Sequence, residues 1–456
     1  MMTSRRNQEL ALLVLVLGIS RLGFFLVDEA TKNTAAISRA LAVGVAILVF
    51  GGHGVIRWLA PAADPLIYPI AVQLNLLGLM MIHRLDVADL LRETSSSPST
   101  PEAASQTVWL MLGIFLACAT LWLVRDHRQL QRYTFTAMIF GFALLLLPLL
   151  PGLGATVNGA RLWIRFAGLS FQPAEVAKIA LPVFFASYLA KNRASMTAIK
   201  SRFLGIGVPR AKDTGPIVLA WLLSLLVLIS QRDLGTSLLF FGLFVGLLYV
   251  ATGQRTWLVL GAVLFASGAY LGYRLFGHVQ LRVMVWLDPF SYSHDQGYQI
   301  VQALYGFASG GLFGRGLGQG FSWLVPYAKS DFILSAFGEE LGYVGLIALA
   351  LLFGVLVQRA LKIALTTRDD FGQLLAAGLA LVLGLQMFVV FGGVTRLIPL
   401  TGLTTPFLAA GGSALVANWI MVGLLLRISH TTTLLNAPSQ TTTAQTTSSS
   451  STGDAR

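Results

Sequence analysis

Polar residues interrupt this chain only at intervals, leaving long apolar runs with the charges gathered into short clusters between them. A backbone that crosses lipid must satisfy its polar groups internally, and a helix does so with about twenty apolar residues. On that template the pattern predicts spans near 10–27, 37–59, 66–84, 107–124, 133–151, 174–190, 215–231, 235–252, 256–276, 335–358, 372–394 and 406–427, twelve in all. The first run follows Arg5 and Arg6 and lacks a small-residue cleavage site, so it reads as a retained helix and not a removed signal peptide. No repeat of fixed period is visible. The expected fold class is all-α: a polytopic integral membrane helix bundle.

Composition agrees. Of 456 residues, 55% are hydrophobic and 11% charged, with a mean hydropathy of +0.73, whereas a soluble chain has about a quarter of its residues charged. The net charge of +12 raises the question of nucleic acid. The basic residues, however, lie in short loops between spans and not on a soluble module with interleaved aromatics, so no nucleic acid is expected and the excess reads as a topology signal. Cys118, the only cysteine, falls inside the run Thr107 to Val124, forms no internal disulfide and has packing as its expected role.

Basic loops set orientation. With the N-terminus cytoplasmic, the inner loops carry Arg125, Arg128 and Arg132, then Lys191, Arg193, Lys200, Arg202, Arg210 and Lys212, then Arg255, then Arg359, Lys362 and Arg368. The outer connections are then 85–106, which is acidic and rich in Ser, Pro and Thr, 152–173, the turn at Arg232 and Asp233, and the long stretch 277–334. Both termini are expected on the cytoplasmic side of the plasma membrane. From Thr431 on, a Thr/Ser/Ala/Gln-rich tail is expected to be disordered.

Much chemistry is missing. The six histidines show no pair at ligand spacing, and no metal site is expected. The Gly-rich stretch Gly310 to Gly320 follows no strand, so a tight fold-back is a better reading than a dinucleotide loop. What remains is a set of ionisable residues where lipid makes them expensive. Glu175 and Lys178 stand at i and i+3 on one helical face behind Pro173, able to neutralise each other, either as a functional site or as a structural ion pair. Asp233 begins a helix, where capping accounts for it. Asp331, in Lys329-Ser330-Asp331-Phe332-Ile333, lies between a polar loop and an apolar segment just before Glu339 and Glu340. It suits a general base or an N-cap. Burial would raise its pKa and Lys329 or Arg315 would lower it.

The ordered motifs Asn158-Gly159-Ala160-Arg161-Leu162-Trp163-Ile164, Phe171-Gln172-Pro173-Ala174-Glu175-Val176-Ala177-Lys178, Asp233-Leu234-Gly235-Thr236-Ser237, Gly297-Tyr298-Gln299, Ser330-Asp331-Phe332-Ile333 with Gly338-Glu339-Glu340-Leu341-Gly342, and Pro406-Phe407 before Gly411-Gly412-Ser413 together resemble the SEDS family (shape, elongation, division and sporulation) of RodA, FtsW and SpoVE. The resemblance runs from about Asn158 to Ile428. It implies a peptidoglycan glycosyltransferase that polymerises lipid II, the undecaprenyl-linked disaccharide pentapeptide, at the outer membrane face, releases undecaprenyl diphosphate and works with a class B penicillin-binding protein. It further implies that Asp331 is catalytic, taking the proton from the acceptor sugar's 4-hydroxyl, that Glu175 and Lys178 are the paired charges beside the central cavity, and that Asp233 is a second important aspartate. Cationic help at the leaving group would come from among Arg161, Arg165, Arg282, Arg315 and Lys329, with Glu339 and Glu340 as further supporting candidates. The resemblance names no cofactor and leaves open a divalent cation at the diphosphate.

On this reading residues 1–152 form N-terminal transmembrane helices, 153–430 the catalytic core with its large extracellular loop 277–334, and 431–456 the tail. A ten-span core would carry two extra N-terminal spans, as in the actinobacterial branch of the family. Lys329-Ser330 stands where the family usually has His-Thr, and Ala409-Ala410 where Ser-Tyr is usual. A flippase moving the lipid-linked precursor, and a scaffold that only recruits the penicillin-binding protein, are the alternatives. The concentration of motif residues at outer helix ends favours surface chemistry over translocation.

Overall fold

The computed structural model describes residues 2–32, 39–92, 101–157, 160–166, 169–197, 201–203, 206–208 and 211–436. Asn158 and Gly159 of the first motif, Lys200 and Arg210 of the basic loop, and the tail from 437 on lie outside them. The described residues form helices α1 (Met2–Thr31), α2 (Arg39–Leu59), α3 (Ile67–Arg92), α4 (Glu102–Leu123), α5 (Thr134–Leu146), α6 (Pro173–Thr197), α7 (Ala211–Ser230), α8 (Leu234–Thr252), α9 (Thr256–Leu275), α10 (Gly277–Leu287), α11 (Tyr298–Gly310), α12 (Ile333–Thr366), α13 (Asp370–Val394) and α14 (Gly412–Leu435). Strands β1 (Gly154–Val157), β2 (Ala160–Phe166) and β3 (Leu169–Phe171) make a small antiparallel sheet between α5 and α6.

Helices stand at all twelve places predicted for spans. Eleven of them are long and apolar enough to cross a membrane, and α7 supplies twenty residues at the twelfth place. The protein is an all-α polytopic membrane bundle. Because successive spans run in opposite directions, the starts of α2, α4, α6, α8, α12 and α14 gather at one end with β1–β3, α10 and α11. The basic residues Arg125, Arg128, Arg255 and Arg368 in connections, and Lys191 and Arg193 near the end of α6, lie at the other end.

Burial sorts the helices into layers. In α3, 94% of the span is buried, and α6, α13 and α14 are nearly as enclosed, whereas only 6% of α9 is covered. Val263, Phe265 and Leu271 of α9 are exposed, as expected of a helix whose solvent is lipid. The two N-terminal helices dock through charges that lipid would not tolerate unpaired: Arg6 pairs with Glu9, and Glu9 also meets His53 Nδ1 at 2.7 Å.

Three features depart from the sequence reading. The stretch 277–334 is no open loop: it contains α10 and α11, and α11 packs along α12. Helix α12 is broken at Gly342, whose φ of 69° leaves the helical region and whose absent side chain lets the backbone nitrogen of Gly314 and the carbonyl of Leu312 lie against it. At 1.5 Å per residue, Tyr343 to Thr366 covers about 36 Å, enough to span the bilayer alone, so the membrane segment sits later in the chain than the predicted 335–358. Finally α14 continues to Leu435, past the expected boundary at 430.

Candidate functional site

Asp331 projects from a turn that bonds to itself before α12 begins. Tyr327 adopts a positive φ of 58°, and its carbonyl accepts the backbone N–H groups of Ser330 at 2.9 Å and Phe332 at 3.3 Å. The cap position of α12 falls on Phe332, with no side chain capping the helix, so Asp331 does not serve as the N-cap that its position in the sequence allowed. The residue as a whole is half-buried. Burial by the surrounding protein pushes its pKa up to about 6, against lowering by a hydrogen bond from Ser330 and the charge of Arg282. Burial therefore wins the contest posed above, and the opposing cation is Arg282, not Lys329 or Arg315.

The floor beneath Asp331 is the irregular segment 400–405. Gly402 (φ 76°) lies so close that a Cβ there would sit 3.6 Å from Asp331 Oδ2. Arg282, on α10, donates from Nη1 to the carbonyls of Leu400 and Thr401, both at 3.0 Å. Burial pulls its pKa down, while the charges of Asp233 and Asp331 pull it back up; a guanidinium stays protonated throughout. Gly235 at the start of α8 packs against Leu403 and the Thr401 carbonyl. Asp233 caps that helix, accepting from Thr236 N at 2.9 Å, as its position in the sequence suggested. Among the described residues its other oxygen has no hydrogen-bonding partner, and burial pushes its pKa up.

The same floor reaches the paired charges of α6. Lys178 Nζ donates to Glu175 Oε1 at 2.8 Å and to Gln386 Oε1 at 3.2 Å, and Gln386 Nε2 donates to the Thr404 carbonyl at 2.9 Å. Lys178 and Glu175 are enclosed, at 0% and 1% exposure. Gln386 escaped the sequence reading, although a lone amide in the apolar helix Leu385-Gln386-Met387 was the signal that could have found it. The floor segment escaped for a different reason: it acts through backbone carbonyls, which no residue type announces.

Other candidates are committed elsewhere. Glu339 accepts from Phe321 N and Ser322 Oγ, both at 2.9 Å, and from Ser309 Oγ at 3.2 Å. Glu340 accepts from Gly318 N at 2.8 Å and pairs with Arg84 at 3.0 Å. Glu340 holds Gly318 within the Gly-rich stretch and Glu339 holds the flanking Ser309, Phe321 and Ser322, so the stretch folds back onto the start of α12. Arg315 places its guanidinium over the Phe321 ring, 5.0 Å from the centroid. Lys329 meets Asp86 at 2.7 Å and Asp89 at 2.8 Å. Arg161 and Arg165 are exposed on β2. Among the described residues no group of three or more His, Cys, Asp or Glu is placed to hold a metal ion.

An all-α bundle with polar and charged side chains gathered at one end defines a class, a polytopic membrane protein with its candidate chemistry at the rim, and comparison narrows it. A family model described as "Cell cycle protein", covering FtsW, RodA and SpoVE, matches residues 65–434. The chain is 45% identical over 430 residues to the peptidoglycan glycosyltransferase RodA of Mycobacterium tuberculosis, covering 94% of this chain and 91% of that one. It is 35% identical over 374 residues to the probable peptidoglycan glycosyltransferase FtsW of Geobacter metallireducens, covering 80% and 94%. Among solved structures, a chain of a peptidoglycan synthase complex that coordinates polymerization and crosslinking superposes with a TM-score of 0.60 at 27% identity, covering 78% of this chain and 97% of that one. The rod shape determining protein RodA of Thermus thermophilus gives 0.53 at 26%, covering 87% and 97%. The chain belongs to the FtsW/RodA/SpoVE family.

Proposed function

We propose that the protein extends glycan strands at the outer face of the plasma membrane, drawing on lipid II, with Asp331 as the catalytic base and a class B penicillin-binding protein as the crosslinking partner. The general activity rests on the relatives: over nearly its whole length the chain matches peptidoglycan glycosyltransferases, and it is a peptidoglycan glycosyltransferase of the cell wall. The finer reading rests on one observation, a half-buried aspartate with its pKa raised to about 6 by burial, in the field of the Arg282 guanidinium and free of capping duty.

A base with that pKa is ionised at neutral pH and still basic enough to accept a proton in the transition state. The Asp331 carboxylate takes the proton of the acceptor sugar's 4-hydroxyl as that oxygen bonds to the anomeric carbon of the donor. The bond from that carbon to the diphosphate breaks, and undecaprenyl diphosphate leaves with the electron pair. Arg282, held by two carbonyls and within electrostatic reach of Asp331, meets the charge that develops on the leaving group, with the exposed Arg161 and Arg165 at the same end of the bundle. Outer placement is supported by the basic residues at the opposite end. The synthase-complex relative supports a partner that crosslinks. A transporter would need charges spread along a path, but Glu175 and Lys178 lie in the first two turns of α6, at the end of the bundle that carries Asp331, and neutralise each other.

Two measurements test this reading. Purified full chain in proteoliposomes, given labelled lipid II and the penicillin-binding protein, should yield glycan strands on a gel; transport of lipid II without polymer would replace the reading. A tag within 277–334 should react from outside intact cells, and one within 191–214 only after permeabilisation. The opposite labelling would move the site to the cytoplasmic face.

A further inference from the structure

Lys329 has the charge of a diphosphate ligand but not its surroundings. Its ammonium is held between two carboxylates of α3, Asp86 Oδ1 at 2.7 Å and Asp89 Oδ2 at 2.8 Å, with Glu102 in the same electrostatic neighbourhood. Burial pulls the Lys329 pKa down, but the hydrogen bonds and charges of Asp86 and Asp89 outweigh it and hold the ammonium above its ordinary value. A cation already facing two anions has little attraction left for a third.

The anchor itself is firm. Asp86 is buried, and its second oxygen accepts the backbone N–H of Ala103 at 2.7 Å in the first turn of α4, so one carboxylate ties two helices together. The carbonyl of Lys329 accepts Ala410 N at 2.8 Å, and the 406–411 stretch is in turn fixed by Asn75, donating to Phe407 O at 2.6 Å, and by Gln106, donating to Ala409 O at 3.1 Å. Residue 329 is thus tethered by its side chain to α3 and by its backbone to the segment before α14. Asp331 follows two residues later on a turn closed by Tyr327.

We infer that Lys329 is a positioning residue: its clasp by Asp86 and Asp89 fixes the 327–332 turn, and through it the place of the Asp331 carboxylate over the 400–405 floor. The inference rests on the proposed role of Asp331. Displacing a catalytic group by about 1 Å can cost on the order of 100-fold in rate, so a turn that carries a base gains from two independent tethers.

The test uses full-length protein in proteoliposomes and two readouts. Amide hydrogen exchange of 322–334 needs no substrate: Lys329→Met and the double variant Asp86→Asn/Asp89→Asn should each speed exchange there by on the order of tenfold, with exchange elsewhere unchanged. In lipid II turnover both variants should lose about 10- to 100-fold in kcat with KM within about twofold. Combining them should add little, and Lys329→Arg should recover most of the rate. Asp89→Asn alone leaves the Asp86 contact to α4 in place, so it folds with its helices intact and should give a smaller loss of the same kind. If removing the carboxylates preserves or raises turnover while Lys329→Met raises KM, Lys329 binds the diphosphate and the inference is wrong. Unchanged exchange in 322–334 would overturn it as well. Silent wild-type protein would count against the lipid II reading, and the exchange data would still decide the clasp.

Discussion

Glu175 and Asp331 are carboxylates near the same end of one bundle, each beside a cation, and their surroundings treat them in opposite ways. Glu175 is sealed: its partner Lys178 is one helical turn away at 2.8 Å, Gln386 takes the ammonium's next hydrogen bond, and solvent reaches neither charge. Asp331 is half-buried with no salt-bridge partner among the described residues, the guanidinium that acts on it is bound to two backbone carbonyls, and its pKa is raised. A carboxylate sealed from solvent and paired with a buried ammonium holds helices in place, even though its second oxygen has no hydrogen-bond partner among the described residues. One whose charge is half answered is available for chemistry, and the fold gives up stability to keep it so.

The largest effect separating the two should come from Asp331→Asn, which leaves insertion and folding intact and lowers polymerisation by about 10²–10⁴-fold, with Asp331→Glu recovering little because the carboxylate is displaced. Near-wild-type polymerisation by Asp331→Asn would make this residue structural and turn attention to Asp233. Next in size, Glu175→Ala or Lys178→Ala alone should cost about 3–5 kcal/mol by stranding a buried charge, whereas replacing both with apolar residues should be nearly neutral for stability. Additive losses of thermal stability would mean that the two do not act as a pair.

Acidity sharpens the contrast further. With its folded pKa raised to about 6, Asp331 binds its proton more tightly in the folded state, so the stability it contributes is present at low pH and is lost as pH rises through 6. Turnover should follow the reverse course, falling with an apparent pKa near 6 as the base is protonated, and Asp331→Asn should melt slightly higher than wild type at pH 7.5. A turnover profile flat from pH 5 to 8 would remove Asp331 from the rate-limiting step. The smallest effect belongs to Asp233→Ala, which strips the cap of α8 and should cost about 0.5–2 kcal/mol, measured as a shift in melting temperature; Asp233→Asn, which still caps, should keep most of it.

The sequence made the spans legible because lipid demands an unbroken apolar run for each, and α1 to α9 and α12 to α14 stand where those runs predicted. It was silent about Gly342, since a break depends on what packs against the backbone, and about α10 and α11, which are short helices in a stretch that crosses nothing. In the site, Asp331, Glu175 with Lys178, and the Asp233 cap could be read because each is a charge beside an apolar segment. The partners of Lys329, Glu339 and Glu340 could not, because Asp86, Ser322 and Arg84 meet them only through the fold. A polar side chain seeking an anion and one already holding an anion are written with the same letter.

A ribosome makes Arg84 long before it makes Glu340. Helix α3 therefore enters the membrane with its buried guanidinium lacking the carboxylate that meets it at 3.0 Å in the finished protein, and only the arrival of α12 supplies it. The bundle closes late, by joining one of its early helices to one of its last. A chain cut short before α12 lacks the carboxylate that answers Arg84, a buried charge on its most enclosed helix.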